Sequence, residues 1–393
     1  MNKKVVSGIL VFGLILSFAV FASADINVID SMDFQGDAIT LSLEEAIDRA
    51  RTESVSGKSI DWNEEKAVAA YWEYTESAQA INAGWDAMSK ANQMGAFIQN
   101  SLSATRSDAE ILKFTGEFYK DQRLRNKTAE ENMLRAQVKE FYFTVNNLNE
   151  LVKINEENVA VRQKLYENTQ TKFELGMVAK QDVLSAEYEL MSAETDYDES
   201  VLNLKNAKMK LNLLLGYDPM QEVVLTDSIS ENAAEKDIGI AEAVSKALLE
   251  RNEIYAAKFQ LDLSEMTTEN LKKKSASASE VKKQRIALEE TTAQYLSALD
   301  NVEIDVREKY MDVRQKKSAV ETSKKSVETL EEALRLTQLT YDAGMAILTD
   351  VQEMQTKVFQ AKVGLSNAIL NYNLAIDAFQ ESMGAGRFTV PLS

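Results

Sequence analysis

The chain has neither cysteine nor histidine among its 393 residues. Without a thiol it can form no disulfide and no thiolate nucleophile, and without an imidazole it can form no histidine-based triad or His/Cys metal site. Chemistry that uses carboxylates alone is still open to the chain. The 62 acidic residues, however, are scattered among Lys and Arg along helical faces, which is typical of a solvated surface. We therefore expect a protein that is not an enzyme and that needs no cofactor or metal.

Proline, glycine and positive charge are also scarce. The chain has two Pro, Pro219 and Pro391, and 14 Gly, so little interrupts a helix. The 44 Lys and Arg are outnumbered by the acidic residues, which leaves a formal net charge of −18. Because binding a phosphate backbone requires a basic surface, no nucleic acid partner is expected.

What the sequence does contain is a long internal repeat. The stretch from Ala129 to Gly216 recurs 168 residues later as Ser297 to Gly384. Each copy has a helical run, an aromatic-x-x-Gly break, an Asp-Val pair six residues after that glycine, and a second helical run ending in glycine. The shared positions are Phe173, Gly176, Asp182 and Val183 in the first copy, and Tyr341, Gly344, Asp350 and Val351 in the second.

Apolar residues recur every seven positions on both sides of each break. The first copy has Val138, Val145, Val152, Val159, Tyr166 and Phe173 before it, and Val183, Leu190, Tyr197, Leu204 and Leu211 after it. The second has Val306, Val313, Val320, Val327, Leu334 and Tyr341, then Val351, Val358, Leu365, Tyr372 and Phe379. Strict seven-residue spacing is the mark of helices packed side by side in a left-handed supercoil. Two long helical hairpins in tandem are therefore predicted.

The two repeats also share their opening residues. Leu41–Ala50 matches Ile238–Ala247 at an offset of 197, so the first copy carries 29 extra residues between about 51 and 128. Helical arms are expected over Asp61–Gln93 and Glu253–Leu271. A single long helix is expected over Glu280–Ala343.

The N-terminus has the pattern of a secretory signal. Lys3 and Lys4 precede an apolar run from Val5 to Phe21, and Ala22-Ser23-Ala24 forms a small-residue cleavage site. The alternative is an uncleaved membrane anchor, since Val5–Ala22 nearly spans a bilayer. Either way, the rest of the chain is expected to work outside the cytoplasm.

On this basis the chain divides into six segments. They are a signal peptide at 1–24, an irregular segment at 25–40, a first helical repeat at 41–216, a linker at 217–237 that could hold a short strand over Glu222–Thr226, a second helical repeat at 238–384 and a C-terminal tail at 385–393.

With these motifs the sequence resembles the TolC-like outer membrane efflux protein family. The resemblance rests on the doubled aromatic-x-x-Gly and Asp-Val pattern, the Leu214–Gly216 ending, the Leu41–Ala50 opening and the signal peptide. It implies a homotrimer whose six hairpins close into a hollow twelve-helix tube, associated with the outer membrane and crossing the periplasm. It also implies docking on a periplasmic adaptor protein and an inner-membrane pump. The implied function is an export duct of a tripartite efflux or type I secretion system.

The resemblance further implies roles for particular residues. The turns at Gly176 and Gly344 would form the tip that faces the adaptor. The tip residues are then Phe173, Gly176, Asp182, Val183, Tyr341, Gly344, Asp350 and Val351. Tyr341 and Asp350 match an aperture tyrosine and aspartate, and Glu353 stands where a second acid is common. The chain departs from the family at Ala346, where a member has arginine, and at Ala179, where a helix-capping serine is frequent.

Physical chemistry gives the two tip aspartates a simpler alternative role. Glycine is the usual residue where a helix ends in a left-handed conformation, so Gly176 and Gly344 predict helix ends. Asp182 and Asp350 then lie in the first turn of the next helix, where a carboxylate meets the positive end of the helix dipole. The acids could therefore be helix-start residues and nothing more.

Family members usually insert barrel strands between the arm and the long helix, and here the sequence departs from the family. A strand that crosses a membrane alternates apolar and polar residues over about 9–11 positions. Lys272–Glu280 is cationic and polar, and Met94–Leu102 has no sustained alternation. We therefore expect an all-α dominated fold, with long coiled-coil hairpins in two tandem repeats that form an α-barrel tube on oligomerisation and little or no β-barrel.

Two further alternatives stay open from the sequence. The function could instead be that of a structural coiled-coil envelope protein that spans or spaces layers without conducting anything. A scaffold of that kind has no reason to repeat a glycine-turned tip with an acid six residues on. The three tryptophans, Trp62, Trp72 and Trp85, fall in one arm, where core or interface packing is favoured over a membrane aromatic belt.

Overall fold

The computed structural model describes residues 34–93, 105–229, 239–273 and 276–391. Within these ranges the chain forms eight helices and two short strands. They are β1 (Gln35–Leu41), α1 (Leu43–Glu53), α2 (Val55–Gln93), α3 (Arg106–Glu174), α4 (Lys180–Leu214), β2 (Gln221–Leu225), α5 (Ile240–Glu250), α6 (Asn252–Lys273), α7 (Ala278–Asp342) and α8 (Leu348–Ser382). The signal peptide, Met94–Leu102 and the end of the linker lie outside the described residues.

Two long hairpins form one layer of helices. Helices α3 and α7 have 69 and 65 residues, and each therefore extends roughly 100 Å at 1.5 Å per residue. Helices α4 and α8, of 35 residues each, return beside them. Contacts join α4 to α3, α3 to α8, and α8 to α7, so α4 and α7 form the two edges of the layer. The predicted tandem hairpins are confirmed.

Each repeat has its own apolar core, where the short opening helix crosses the hairpin. In the first repeat α1 packs on Val138, Val145 and Leu211, and in the second α5 packs on Val306 and Phe379. Every predicted heptad position is buried or partly buried except Phe173, whose side chain is 39% exposed. A stripe of this kind stabilises long helices by lateral packing, which propensity alone would not do.

The arms of the two repeats pack against each other above the hairpins. Helix α2 lies on α3, α3 lies on α6, and α6 lies on α7, so the order across the arms is α2, α3, α6, α7. Helix α2 has 39 residues and α6 has 22. The longer arm of the first copy is therefore helix over its described residues, as predicted.

The irregular segment expected at 25–40 is a strand over part of its length, and this prediction was wrong for residues 35–40. Strand β1 pairs in parallel with β2, with Ile39 opposite Val223. The Tyr142 hydroxyl fixes both strands, because it donates to the Leu41 carbonyl at 2.9 Å and accepts from the Asp227 N–H at 3.0 Å. The sequence analysis missed β1 because its partner strand lies about 180 residues away. Gly36 and the nearby Asp residues made the local sequence look irregular. The short strand expected in the linker is present as β2.

Two of the three tryptophans of the first arm do not enter a core. Trp62 and Trp72 are each 54% exposed, so core packing is excluded for these two, and interface packing stays a prediction. Among the described helices, none combines the length and the apolar content that a bilayer crossing requires.

Candidate functional site

The tips of the two hairpins are built by glycine turns of the same geometry. Gly176 and Gly344 have φ of +72° and +73°. The turn closes when the Met177 N–H donates to the Lys172 carbonyl at 2.8 Å, and the Met345 N–H repeats this bond to Thr340 at 2.9 Å. A Cβ added at either glycine would meet no atom within 4 Å. Glycine is needed here for its backbone conformation and not for space.

The two tip aspartates hold the start of the returning helices. The Asp182 carboxylate accepts from the Ala179 N–H at 3.0 Å, and Asp350 accepts from the Ile347 N–H at 3.1 Å. This is the acidic half of a capping box, since neither Ala179 nor Ile347 has a side chain that accepts a hydrogen bond. Both acids therefore act as helix-start residues in the protomer. The aperture role of Asp350 stays a prediction.

Glu353 lies one turn further along α8 and is exposed. Its carboxylate accepts from the Lys357 ammonium at 2.6 Å. This hydrogen bond, together with the positive charge of Lys357, lowers the pKa of Glu353 from its ordinary value. The residue is therefore a paired surface carboxylate, and its assignment to the aperture stays a prediction.

Tyr341 joins the two hairpins at the tip. Its side chain is 7% exposed and packs with residues of three other helices. The members of this cluster are Leu165 of α3, Ala186 of α4, and Leu348 and Val351 of α8, with Ala346 partly buried beside them. The Tyr341 hydroxyl has no hydrogen-bond partner within the described part of the chain. Its contribution to the tip is therefore the packing of its ring.

Lys172 supplies a cation to the same cluster, and the sequence analysis missed it. Its Nζ lies 3.8 Å from the centroid of the Tyr341 ring and 3.3 Å from Oδ1 of Asp342. An ammonium over an aromatic face is attracted by the ring quadrupole. Lys172 therefore stabilises the contact between the end of α3 and the end of α7. Ala346, where a family member has arginine, is an apolar member of the cluster.

A buried arginine links three helices further from the tip. Arg162 of α3 is 4% exposed and donates to the Thr356 hydroxyl of α8 at 2.8 Å. Its guanidinium also lies 3.3 Å from the Glu189 carboxylate of α4. Burial lowers the pKa of Arg162, and Glu189 opposes that shift. The sequence could have indicated this residue. Its counterpart in the second repeat is the apolar Leu330, so a charged residue stands at an apolar position of the repeat.

The structure does not bring Phe173 into the tip cluster. Phe173 is the repeat counterpart of Tyr341, yet its ring is exposed, and the Lys180 ammonium lies 5.7 Å from its centroid. Val183 and Val351 are both buried, and Val351 belongs to the tip cluster. The two tips therefore have the same backbone and different surroundings. No group of acidic residues within the described ranges could hold a metal ion.

The turn conformation leads to a first prediction. Replacing Gly344 with valine should destabilise the protein by about 1–3 kcal/mol, because a β-branched side chain is strained at positive φ. Thermal unfolding followed by circular dichroism measures the loss. The matched control is Gly364→Val, inside α8, where an added Cβ also meets no atom within 4 Å and φ is not positive. Equal losses at the two positions would show that the turn does not depend on glycine.

No protein-family model and no curated protein sequence matches the chain. Solved structures do match it. The transmembrane channel CusC is 13% identical, with 88% of this chain and 92% of that chain covered and a TM-score of 0.69. The CmeC outer membrane channel of Campylobacter jejuni is 15% identical, with coverage of 96% and 91% and a TM-score of 0.66.

The outer membrane protein VceC of Vibrio cholerae gives the same result. It is 12% identical, the match covers 88% of this chain and 97% of that chain, and the TM-score is 0.66. The arrangement of the helices is thus a known fold. The chain has the fold of the TolC-like outer membrane channels.

Proposed function

We propose that the protein is the export duct of a tripartite efflux or type I secretion system, assembled as a homotrimer in the cell envelope. The duct is a passive tube with no catalytic residue. The tips, at Gly176 and Gly344, dock on a periplasmic adaptor protein, and the adaptor connects the tube to an inner-membrane pump. One observation carries this proposal. Helix faces that occupy equivalent positions in the two repeats are buried in one repeat and exposed in the other.

Within one protomer, α3 of the first repeat packs against α8 of the second. Lys139 of α3 pairs with Asp377 of α8 at 2.6 Å, and Lys362 of α8 pairs with Glu157 of α3 at 3.0 Å. The repeat counterparts of α3 and α8 are α7 and α4, which lie on opposite edges of the layer. The equivalent contact therefore requires α7 of one copy to meet α4 of another.

The two edges have the chemistry that such a contact needs. Apolar side chains stand exposed on α4 at Leu184, Tyr188 and Met191. On α7, Ala333 is only partly buried, whereas its counterpart Leu165 of α3 is buried. Leu184 is 53% exposed, whereas its counterpart Gln352, on the covered face of α8, is 7% exposed. Exposed apolar rows of this length mark interaction surfaces. The exposed position thus holds a leucine, whereas the buried position holds a polar glutamine. This supports burial of Leu184 by a second copy.

Contacts of this kind run head to tail, since a different surface is used on each side. Head-to-tail contacts generate closed rings when the rotation between copies closes. Each copy supplies two hairpins, so three copies supply the six hairpins that the fold's resemblance implies. Phe173, open in the protomer, is then covered by the second hairpin of the next copy, as Tyr341 is covered by the first hairpin of its own.

Association can be tested at Leu184. Burying a leucine contributes roughly 1.5–3 kcal/mol, and a carboxylate in its place adds a desolvation cost. We therefore expect Leu184→Glu to weaken assembly about 10- to 100-fold or more, at 1.4 kcal/mol for each tenfold change. Sedimentation velocity on the purified mature protein over a concentration series measures the loss.

The matched control is Leu249→Glu. Leu249 is 82% exposed on α5, and its repeat counterpart Thr52 is exposed as well, so the repeat predicts no partner for it. This change should leave assembly unaltered. A wild-type protein that stays monomeric or forms an antiparallel dimer would refute the tube.

Transport separates a duct from a scaffold. In a strain that lacks the chromosomal copy, wild-type protein should restore efflux of a fluorescent dye or export of the native cargo. Leu184→Glu, expressed at the same level, should not restore it, and Leu249→Glu should. If the deletion leaves export unchanged while the envelope loses its spacing, the protein is a scaffold and not a duct.

A further inference from the structure

The C-terminal tail, residues 385–391, crosses from the second repeat onto the first. It leaves the end of α8, and side-chain amides of two other helices hold its backbone. Asn252 of α6 donates to the Phe388 carbonyl at 2.6 Å. Asn126 of α3 donates to the Val390 carbonyl at 2.7 Å and accepts from the Val390 N–H at 2.9 Å. The tail therefore ties α3 of the first repeat to α6 of the second.

An ion pair adds to these neutral hydrogen bonds. Arg387 is the only charged residue of the tail. Its Nε and Nη2 both donate to Oε2 of Glu381, with Nε at 2.7 Å. Glu381 lies in the last turn of α8, and its side chain is 14% exposed. Amide groups do not titrate near neutral pH, whereas the carboxylate of this ion pair can take up a proton.

A second carboxylate lies beside Glu381. Asp377 stands one helical turn earlier on the same face of α8, and its Oδ1 accepts from the Lys139 ammonium of α3 at 2.6 Å. Each carboxylate thus has one oxygen bonded to a cation. The other two oxygens, Oδ2 of Asp377 and Oε1 of Glu381, are buried and have no hydrogen-bond partner within the described part of the chain. Buried acceptors without donors are unfavourable, and one proton on Glu381 supplies a donor.

The first repeat has no such pair of acids. The counterparts of Asp377 and Glu381 are Met209 and Leu213, and Leu213 is 68% exposed. A hairpin of this geometry therefore forms without the two carboxylates. They occur only in the repeat whose end is followed by the tail.

The surroundings of Glu381 favour its protonated form. Burial raises the pKa of Glu381 most, and the charge of Asp377 raises it further, whereas Arg387 and Lys139 lower it. The contact with Arg387 thus favours the ionised form. By linkage, a proton on Glu381 must weaken that contact by the same factor.

Two more elements bring charged groups to the cleft beside Glu381 and Arg387. They are Arg251 and Glu253 at the start of α6, and Asp305 and Lys309 of α7. The Arg251 guanidinium pairs with Glu253 at 2.6 Å and with Asp305 at 2.8 Å. Both of these acids are therefore already paired, which leaves Glu381 as the anionic partner of the tail.

We propose that Glu381 is a proton-controlled latch for the C-terminal tail. Ionised Glu381 binds Arg387, and the tail stays on α3 and α6. When Glu381 takes up a proton from solvent, its neutral carboxyl group donates to Oδ2 of Asp377, Arg387 loses its anionic partner, and the tail leaves Asn126 and Asn252.

The energetics of a short extended segment make this contact decisive. Ordering the tail costs conformational entropy, and the neutral hydrogen bonds offset only part of that cost, because a free tail bonds to water instead. The latch acts within one protomer, so the inference does not depend on the proposed duct.

Spin labelling follows the tail directly, because the natural chain has no cysteine. Pro391→Cys places a single nitroxide on the exposed end of the tail, one residue beyond Val390. From about pH 8 to about pH 4.5, across the range in which a carboxyl group of raised pKa titrates, the mobile component of the spectrum should grow several-fold with a one-proton dependence. Circular dichroism defines the part of this range in which the helices are intact. A spectrum that stays unchanged there would overturn the inference.

Two variants in the labelled background identify the group that titrates. Glu381→Gln keeps the shape of the protonated side chain, so the tail should be mobile at every pH and show no transition. Asp377→Asn removes a charge that raises the pKa of Glu381, so the tail should stay attached at neutral pH and the transition should move to lower pH. The inference fails if the transition persists in Glu381→Gln or does not move in Asp377→Asn.

The matched control is Glu130→Gln. Burial raises the pKa of Glu130 as well, and this residue of α3 lines the cleft beneath Val390 and Pro391. The Glu130→Gln protein should keep the transition of the labelled parent. Loss of the transition in this variant would assign the titration to the other end of the tail and contradict a latch at Glu381.

Discussion

Replacing Gly57 with alanine is expected to destabilise the protein by more than about 3 kcal/mol, since overpacking against backbone exceeds the usual cost of an added methyl group. Gly57 is buried at the junction of α1 and α2. A Cβ there would lie 2.2 Å from the Arg51 carbonyl oxygen and 2.3 Å from that of Ala50. Backbone atoms cannot rotate away as a side chain can, so the junction must open. Thermal unfolding followed by circular dichroism, at one fixed protein concentration, measures the change.

Gly364→Ala is the control for this change. It lies inside α8 with open space around it, and alanine has the higher helix propensity, so a gain of up to about 1 kcal/mol is expected. If Gly57→Ala were as well tolerated, the close approach of α2 to the end of α1 would be refuted.

The second repeat explains why this glycine is needed only once. The counterpart of Gly57 is Ile254, so the bend there has room for a side chain. At the first bend the Ser54 hydroxyl donates to the Ala50 carbonyl at 2.6 Å and accepts from the Gly57 N–H at 2.9 Å. At the second, Arg251 replaces Ser54 and pairs with Glu253 and Asp305 at 2.6 and 2.8 Å. At the first bend a short serine hydroxyl bonds to the backbone of both helices, so the helices lie close together. At the second bend the long side chain of arginine makes the contacts instead.

Replacing Tyr341 with alanine should destabilise the protein by about 3–5 kcal/mol, the usual cost of removing a buried aromatic ring. The ring is the centre of the cluster that joins the two tips, so its loss should also separate the ends of the hairpins. Hydrogen exchange of the backbone amides around Leu165 and Ala186 should accelerate more than exchange in the core around Val138. Unfolding by heat or denaturant gives the change in free energy.

Tyr341→Phe separates the ring from the hydroxyl. The buried hydroxyl has no partner within the described residues, so its removal should cost little or stabilise slightly. The Lys172 ammonium keeps an aromatic face in this variant. A loss as large as that of Tyr341→Ala would show that the hydroxyl makes a strong hydrogen bond in the assembled protein, in agreement with the predicted aperture role.

Periodicity predicted the helices and most of their buried face. The seven-residue spacing identified Val138, Val145 and Val306, which are all fully buried. The scarcity of Gly and Pro predicted that helices as long as α7 would be uninterrupted, and the prediction of its start was within two residues. These features are local, so a single stretch of sequence contains the information. The exception is Phe173, which is exposed in the protomer.

The contacts between hairpins could not be predicted in the same way. Lys172 meets Tyr341 and Arg162 meets Thr356 across 169 and 194 positions of sequence, because the second hairpin adopts one register along α3. Heptads fix which face of a helix is apolar but not how far one helix slides along another. The pairing of β1 with β2 has the same origin, since a strand of seven residues without an adjacent partner leaves little pattern.

The unequal arms have a consequence for the outline of the assembled tube. Helix α2 is 17 residues longer than α6, since the two have 39 and 22 residues, and this difference corresponds to roughly 25 Å of helix. In the proposed ring of three copies, the longer and the shorter arm would alternate, while the tip end would present six turns of nearly the same backbone. The proposed tube would therefore be almost sixfold at its tip and threefold at its arm end.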